Sequence, residues 1–118
     1  MPIIKLGTYE SRRNENTTYN IEITRETDKA IELKIEDTLD LFGDGLDVDT
    51  VTRHVWVPKS QIEHQEDGYL ILAGWIIAKE AIPHLKLRWP EGSTEPLLPE
   101  PIKALELYKA GKMVPARW

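Results

Sequence analysis

The sequence predicts a mainly β fold of the α+β class: a small curved antiparallel sheet or barrel of four to five strands, with a short helix and a C-terminal helix. Two observations predict it: apolar and polar residues alternate in several short stretches, and an amphipathic run follows a proline-rich segment. The 118 residues suffice for one hydrophobic core, so we expect one domain over residues 1–118. Its core sheet would span about residues 17–89, its connector residues 90–101 and its last helix residues 102–111.

The first two strands follow from strict alternation. Between residues 17 and 25, Tyr19, Ile21 and Ile23 share one face of an extended chain. Residues 30–36 repeat the pattern after a short polar turn, so the two stretches predict an antiparallel hairpin. The next segment, residues 37–50, is longer than most strand connections, and we expect a loop there with a turn of helix around residues 39–42.

Two more strands are expected at residues 51–57 and 68–73, with Pro58 ending the earlier one because proline cannot donate to a ladder. Residues 75–82 favour a short helix ended by Pro83, and residues 85–89 favour a last strand.

The C-terminal helix should start with Pro101 at its first position and stop at Gly111. Ile102, Leu105 and Tyr108 share one face of it, which must pack on another surface. We expect this helix to fold back on its own sheet rather than reach a neighbouring chain.

Composition and charge limit the function classes. The chain has no cysteine, which excludes disulfides, thiolate zinc sites and thiol nucleophiles and fits a reducing compartment. The net charge is −5, and residues 26–50 hold nine acidic residues against two lysines, whereas residues 101–118 carry +3. A chain with this charge should bind double-stranded nucleic acid poorly without sequence specificity, because that affinity comes from basic side chains that neutralise phosphates. No apolar run is long enough to span a bilayer, so we expect a cytoplasmic protein without membrane contact.

No pattern indicates catalysis. The chain has no nucleophile elbow, no phosphate-binding glycine loop and no carboxylate spacing that selects an acid and base pair. The three histidines lack zinc spacing, and the aspartates of residues 44–49 do not match a calcium loop. We therefore expect no enzyme, no metal and no cofactor.

Two groups of residues are candidates for binding. His54 and Trp56 alternate on one strand and should point the same way, with Lys59 and Gln61 in the following turn. They would form an aromatic recognition surface, although a core tryptophan beside a solvated turn is the preferred interpretation. The second group comprises the aspartates of the expected loop, which would face a basic partner: Asp40, Asp44, Asp47 and Asp49.

The segment from Trp56 to Ile62, Trp-Val-Pro-Lys-Ser-Gln-Ile, resembles small proteins of bacteriophages and prophages that carry tryptophan, a branched residue and Pro-Lys-Ser-Gln. A second tryptophan, Trp75, opens a short helix carrying Ala-Lys-Glu in those proteins as it does here. The resemblance covers about residues 29–82 and implies a mobile-element origin without implying an activity.

Three function hypotheses follow. The first is a non-enzymatic phage or mobile-element accessory protein that binds a host defence or replication component through an acidic and aromatic surface. The second is a single-stranded nucleic-acid-binding small barrel, in which Trp56 stacks on bases and Lys59 contacts phosphates. The third is an assembly protein that oligomerises through its C-terminal helix. The oligomeric state and the partner's identity do not follow from the sequence.

Overall fold

Short strands make up most of the fold in the computed structural model, which describes residues 3–10, 16–94 and 97–116. Its strands are β1 Ile3–Lys5, β2 Gly7–Glu10, β3 Thr17–Glu26, β4 Ala30–Asp40, β5 Val48–Pro58, β6 Ile62–Glu66, β7 Tyr69–Leu72, β8 Leu87–Arg88 and β9 Val114–Pro115. The helices are α1 Gly74–Glu80 and α2 Pro101–Lys109, and a 3₁₀ turn over Lys59–Gln61 joins β5 to β6.

The largest sheet is an antiparallel meander in the order β2-β3-β4-β5. The predicted hairpin of β3 and β4 is present, and its turn is closed by Thr27, whose side-chain oxygen accepts from the Ala30 N–H at 3.1 Å. A bulge between Ile23 and Arg25 shifts the register near this turn, which leaves Arg25 opposite Glu32. One face of the sheet, called here the inner face, carries the buried residues Ile21, Ile31, Leu33, Ile35, Val55 and Val57.

The long loop expected at residues 37–50 is wrong. β4 continues to Asp40 and β5 starts at Val48, so only residues 41–47 form the turn, and residues 39–42 contain no helix. The backbone N–H groups of Gly43 and Gly45 donate to the two carboxylate oxygens of Asp40 at 3.0 and 2.8 Å. Both glycines have positive φ, +70° and +76°, which other residues rarely adopt.

A second antiparallel sheet has the order β1-β7-β6, and β8 pairs with β9 in a third. The sequence did not predict β1, β2, β6 or β9. Each of these strands has five residues or fewer, too few for alternation to stand out, and β1 depends on a partner more than sixty residues away: Ile3 lies opposite Ile71.

Two hydrophobic clusters form the core. The first lies between the inner face and α1, which contributes Ile76 and Ile77. The second lies between β1, β7 and α2, and it includes Ala104, Leu105 and Met113. The adjacent residues Ile3 and Ile4 belong to different clusters, so β1 separates and joins the two. The expectation that α2 folds back on its own chain is confirmed, although Ile102 stays 46% exposed.

The α+β, mainly β class is confirmed, and within the described residues no sheet closes into a barrel. The molecule is flat, with extents of 43 × 42 × 24 Å and a radius of gyration of 15.2 Å. A compact chain of this length has a radius of gyration near about 13.5 Å. The excess fits a long β4–β5 hairpin that extends beyond the clusters. Neither helix of the described parts of the chain has the length and apolar character needed to cross a bilayer.

Candidate functional site

The residues singled out from the sequence lie in three places. His54 and Trp56 lie on the outer face of the four-stranded sheet, opposite to the inner face defined above. Lys59 and Gln61 lie in the 3₁₀ turn that follows β5, and the four aspartates lie at the far end of the β4–β5 hairpin. Between Trp56 and Val48 the strand covers eight residues, about 26 Å at the usual rise of a strand. The structure therefore does not bring the aromatic and acidic residues into one surface.

Trp56 is 46% exposed, so the preferred interpretation of a core tryptophan is wrong. Its strand neighbours Val55 and Val57 point inward instead, at 5% and 0% exposure. Glu32 lies directly opposite Trp56 on β4 and is the only charged residue that is buried in the described parts of the chain. Trp56 thus sits beside a carboxylate.

The Glu32 carboxylate is held by neighbours on both adjacent strands. Its Oε1 accepts from the Thr24 hydroxyl at 2.9 Å and lies 3.5 Å from His54 Nδ1 and 3.8 Å from Arg25 Nε. Hydrogen bonds and a nearby cation offset the cost of burying a carboxylate. This group consequently stabilises the outer face and gives Trp56 an anionic surrounding.

Lys59 and Gln61 link elements of the fold. The Lys59 ammonium lies 3.5 Å from a Glu26 carboxylate oxygen. Gln61 Oε1 accepts from the Trp75 indole N–H at 2.8 Å and so ties the 3₁₀ turn to α1. Trp75 is itself 54% exposed, but α1 packs on the inner face, whereas Trp56 lies on the outer face. The two tryptophans therefore do not form a common stacking platform.

The end of the β4–β5 hairpin is the most apolar exposed part of the described chain. We call residues 41–47 the hairpin tip. Phe42 and Leu46 of the tip are 73% and 82% exposed, and Leu41 is 51% exposed. Val48 and Val51, where β5 begins, are 48% and 64% exposed. Large apolar side chains exposed together mark interaction surfaces more often than the same residues scattered singly.

The aspartates around the tip divide into two pairs. Asp40 closes the tip through Gly43 and Gly45, and the Asp44 carboxylate accepts from the Leu46 N–H at 2.9 Å. Asp47 and Asp49 are exposed, and they flank the start of β5. Residues 37–52 contain five aspartates and no lysine or arginine. The hairpin end is consequently both apolar and negatively charged.

A polar cluster on the inner face was not found from the sequence. Tyr9 and Tyr19 lie with ring centroids 5.6 Å apart, and Tyr19 lies opposite Asp37 on β4. Burial raises the pKa of Asp37, and the nearby Arg53 guanidinium lowers it by a smaller amount. Burial also raises the pKa of the Tyr9 phenol, with Tyr19 and Asp37 adding to the effect.

Arg53 connects this cluster to α1, because its guanidinium donates to the Glu80 and Ala81 carbonyls. These carbonyls are at the C-terminal end of α1, where a cation is favoured. No sequence signal links Tyr9, Asp37 and Arg53, because they come from three strands and meet only once the sheet is formed.

The described residues contain no group of three or more histidine, aspartate or glutamate side chains placed to hold a metal ion. The chain matches no family model, no curated protein and no solved structure.

Proposed function

We propose that this chain is a non-enzymatic protein that binds another protein and that the hairpin tip is its contact surface. The supporting observation is the position of its exposed apolar side chains. Three of the eleven exposed large apolar residues in the described parts of the chain lie in the seven-residue tip, Leu41, Phe42 and Leu46, and three more lie beside it, Leu39, Val48 and Val51. Burying such side chains against a partner contributes roughly 25 cal/mol of binding free energy for each Å² of apolar surface. The exposed apolar side chains at the end of the β4–β5 hairpin are therefore suitable anchors for a partner.

The charge of the hairpin selects the class of partner. Residues 37–52, at the end of the β4–β5 hairpin, contain five aspartates and no basic residue. This end of the hairpin therefore repels acidic surfaces and attracts basic ones. We therefore propose a partner that presents apolar residues flanked by lysine or arginine. Association with it should slow as the salt concentration rises, because salt screens long-range attraction.

The resemblance of residues 56–62 to bacteriophage and prophage proteins supports an origin on a mobile element. The partner would then be a host protein of defence or replication, met in the host cytoplasm. An acidic arm can also occupy a basic surface that otherwise binds nucleic acid, which would make the protein an inhibitor by competition.

The rival functions have less support. Single-stranded nucleic acid would have to approach Trp56 past the Glu32 carboxylate, in a chain of net charge −5. Oligomerisation through α2 would need its apolar face, but Ala104 and Leu105 of that face are already buried in the chain's own core.

The experiment is affinity capture from host lysate at low salt with three forms of the full chain. The wild type is compared with the double variant Phe42→Ser, Leu46→Ser. The matched control is Leu97→Ser, Leu98→Ser, which removes two leucines that are 80% and 57% exposed elsewhere. We expect one captured protein that is lost with the tip variant, kept with the control and released by salt. Capture that is equal with all three forms, or no capture by the wild type, would overturn the proposal.

A further inference from the structure

β5 is a long edge strand. It runs over eleven residues, Val48–Pro58, and in the described parts of the chain it has a strand neighbour, β4, on one side only. Edge strands expose unpaired backbone groups that can pair with another strand, and many proteins block them with lysine, proline or a bulge. β5 has no lysine, has proline only at its last position and pairs with β4 without a register shift. The edge is therefore regular and open to pairing.

Two hydrogen bonds at the ends of the β4–β5 ladder show which backbone groups face outward. The Leu41 N–H donates to the Asp47 carbonyl at 2.9 Å, and the Lys59 N–H donates to the Lys29 carbonyl at 2.8 Å. In an antiparallel pair, bonded and non-bonded residue pairs alternate. The odd-numbered residues of β5 consequently bond to β4. The even-numbered residues direct their backbone groups to the open edge: Val48, Thr50, Thr52, His54 and Trp56.

We propose that two copies of this chain pair through β5, antiparallel and centred on Val51, and so form one continuous eight-stranded sheet. In this register Asp49 of each copy lies opposite Arg53 of the other, which gives two pairs of opposite charge on the inner face. Val51 lies opposite its own symmetry mate, so two side chains that are each 64% exposed cover one another. The interface is isologous, as a twofold dimer requires.

Two other registers that keep the inner faces together are less favourable. Centring the pairing on Arg53 places two guanidinium groups directly opposite one another, which like charges oppose. Centring it on Thr52 places Arg53 against Val51 and leaves Asp49 without an opposite charge. The Val51 register alone among these three joins Asp49 to Arg53, and its seven paired residues from Val48 to His54 allow about eight main-chain hydrogen bonds.

The Arg53 side chain is held in place and can still bind a carboxylate. The carbonyls at the end of α1 hold its guanidinium with two hydrogen bonds, and a guanidinium has five N–H donors, so donors remain for a carboxylate. The hairpin tip lies outside the paired residues. The dimer would present two tips, and its formation does not depend on what the tips bind.

The first test measures mass in solution by sedimentation velocity and light scattering over a range of protein concentrations. We expect the wild type to approach twice the 13.6 kDa chain mass as concentration rises. Thr52→Pro should be monomeric, because it removes an outward N–H without removing a bond to β4. Thr52→Ala, which keeps that N–H, should still dimerise, and a cooperative thermal transition would show that both variants fold. A wild type that is monomeric throughout, or a Thr52→Pro variant that dimerises equally, would overturn the proposal.

The second test uses the absence of cysteine in the chain. A cysteine at position 51 would be the only one present, and opposed residues of a non-bonded antiparallel pair have Cα atoms about 4.5 Å apart, which a disulfide spans. Val51→Cys should therefore form a covalent dimer on mild oxidation. Thr50→Cys should react at least about tenfold more slowly, since diagonal neighbours are about 7–8 Å apart. Equal rates for the two variants would exclude the Val51 register.

Discussion

Glu32 and Trp56 lie directly opposite one another on β4 and β5, yet Glu32 is 8% exposed and Trp56 is 46% exposed. The shorter acidic side chain is covered by Thr24, Arg25 and His54, whereas the larger indole extends past them. The usual distribution of polar and apolar burial is thereby inverted at this point of the outer face. Such an inversion is tolerated because the carboxylate is hydrogen-bonded and lies beside cationic groups.

Replacing Glu32 should cost more stability than replacing a neighbouring acid of the same strand. Glu32→Ala removes the acceptor of the Thr24 hydroxyl and the contacts to His54 and Arg25, and we expect a loss of about 1–2 kcal/mol. Glu36→Ala is the control on the same face, where the pair with Lys34 lies closer to solvent and should contribute less to stability. Urea unfolding measures both, and equal losses would show that the Glu32 contacts contribute little.

The two apolar residues of α2 should differ sharply. Leu105 is 1% exposed within the second cluster, so Leu105→Ala should lower the free energy of unfolding by about 2–5 kcal/mol. Ile102 lies on the same helix at 46% exposure, and Ile102→Ala should cost less than half as much. Neither change should alter the mass in solution. A loss of self-association with either variant would place the dimer contact on α2 instead of β5.

The ionised Asp37 carboxylate should destabilise the folded protein at pH values above its pKa. Its pKa is raised by burial, so the folded state binds its proton more tightly than the unfolded state does. Stability then falls as pH rises from about 3.9 through the raised pKa. Asp37→Asn should stabilise the protein at pH 7 by less than about 1 kcal/mol after allowance for solvent screening. The gain should vanish near pH 3.

Thermal melting from pH 3 to pH 7 measures this difference. Asp47→Asn is the matched control, because Asp47 is exposed at the tip of the same hairpin. If Asp37→Asn lowers the melting temperature at pH 7, the attraction between Asp37 and Arg53 outweighs the cost of burial.

His84 should make the protein sensitive to mild acid. Burial lowers the pKa of its imidazole, which outweighs the opposite effect of the hydrogen bond with the Ile82 carbonyl. The unfolded state therefore binds the proton more tightly, and stability falls as pH drops below about 6.5. His84→Gln should flatten this fall between pH 7.5 and pH 5. A wild type whose stability is constant over that range would contradict the assignment.

The sequence predicted those elements whose apolar pattern is continuous and local. Ile21 and Ile23 on one strand and Ile31, Leu33 and Ile35 on the next carry a period of two that predicts the β3–β4 hairpin. Pro101 and Gly111 limit α2 for equally local reasons. The outward orientation of Trp56 also follows from the sequence, because the branched residues Val55 and Val57 occupy the alternate positions and must take the inner face.

The remaining features depend on tertiary contacts. β1 forms because β7 pairs with it and because the first cluster receives Ile4 and the second receives Ile3, and three residues carry no pattern of their own. The hairpin extends through residues 37–40 and 48–50 because Asp40 closes the tip by accepting from two glycine N–H groups. An aspartate that closes a turn and one that faces solvent look alike in a sequence.

The sharing of β1 between the two clusters constrains how the protein is made on the ribosome. Ile3 and Ile4 leave the ribosome before their partner strand and α2, which follow more than sixty residues later. In the interval the meander from β3 to β5 can form locally, while its inner face has neither α1 nor a β1 paired with β7 to cover it. A nascent chain long enough to have released β5 from the ribosome, but not yet α1, would therefore display Leu33, Ile35 and Val57 to solvent, and it is at this length that binding by a chaperone should be strongest.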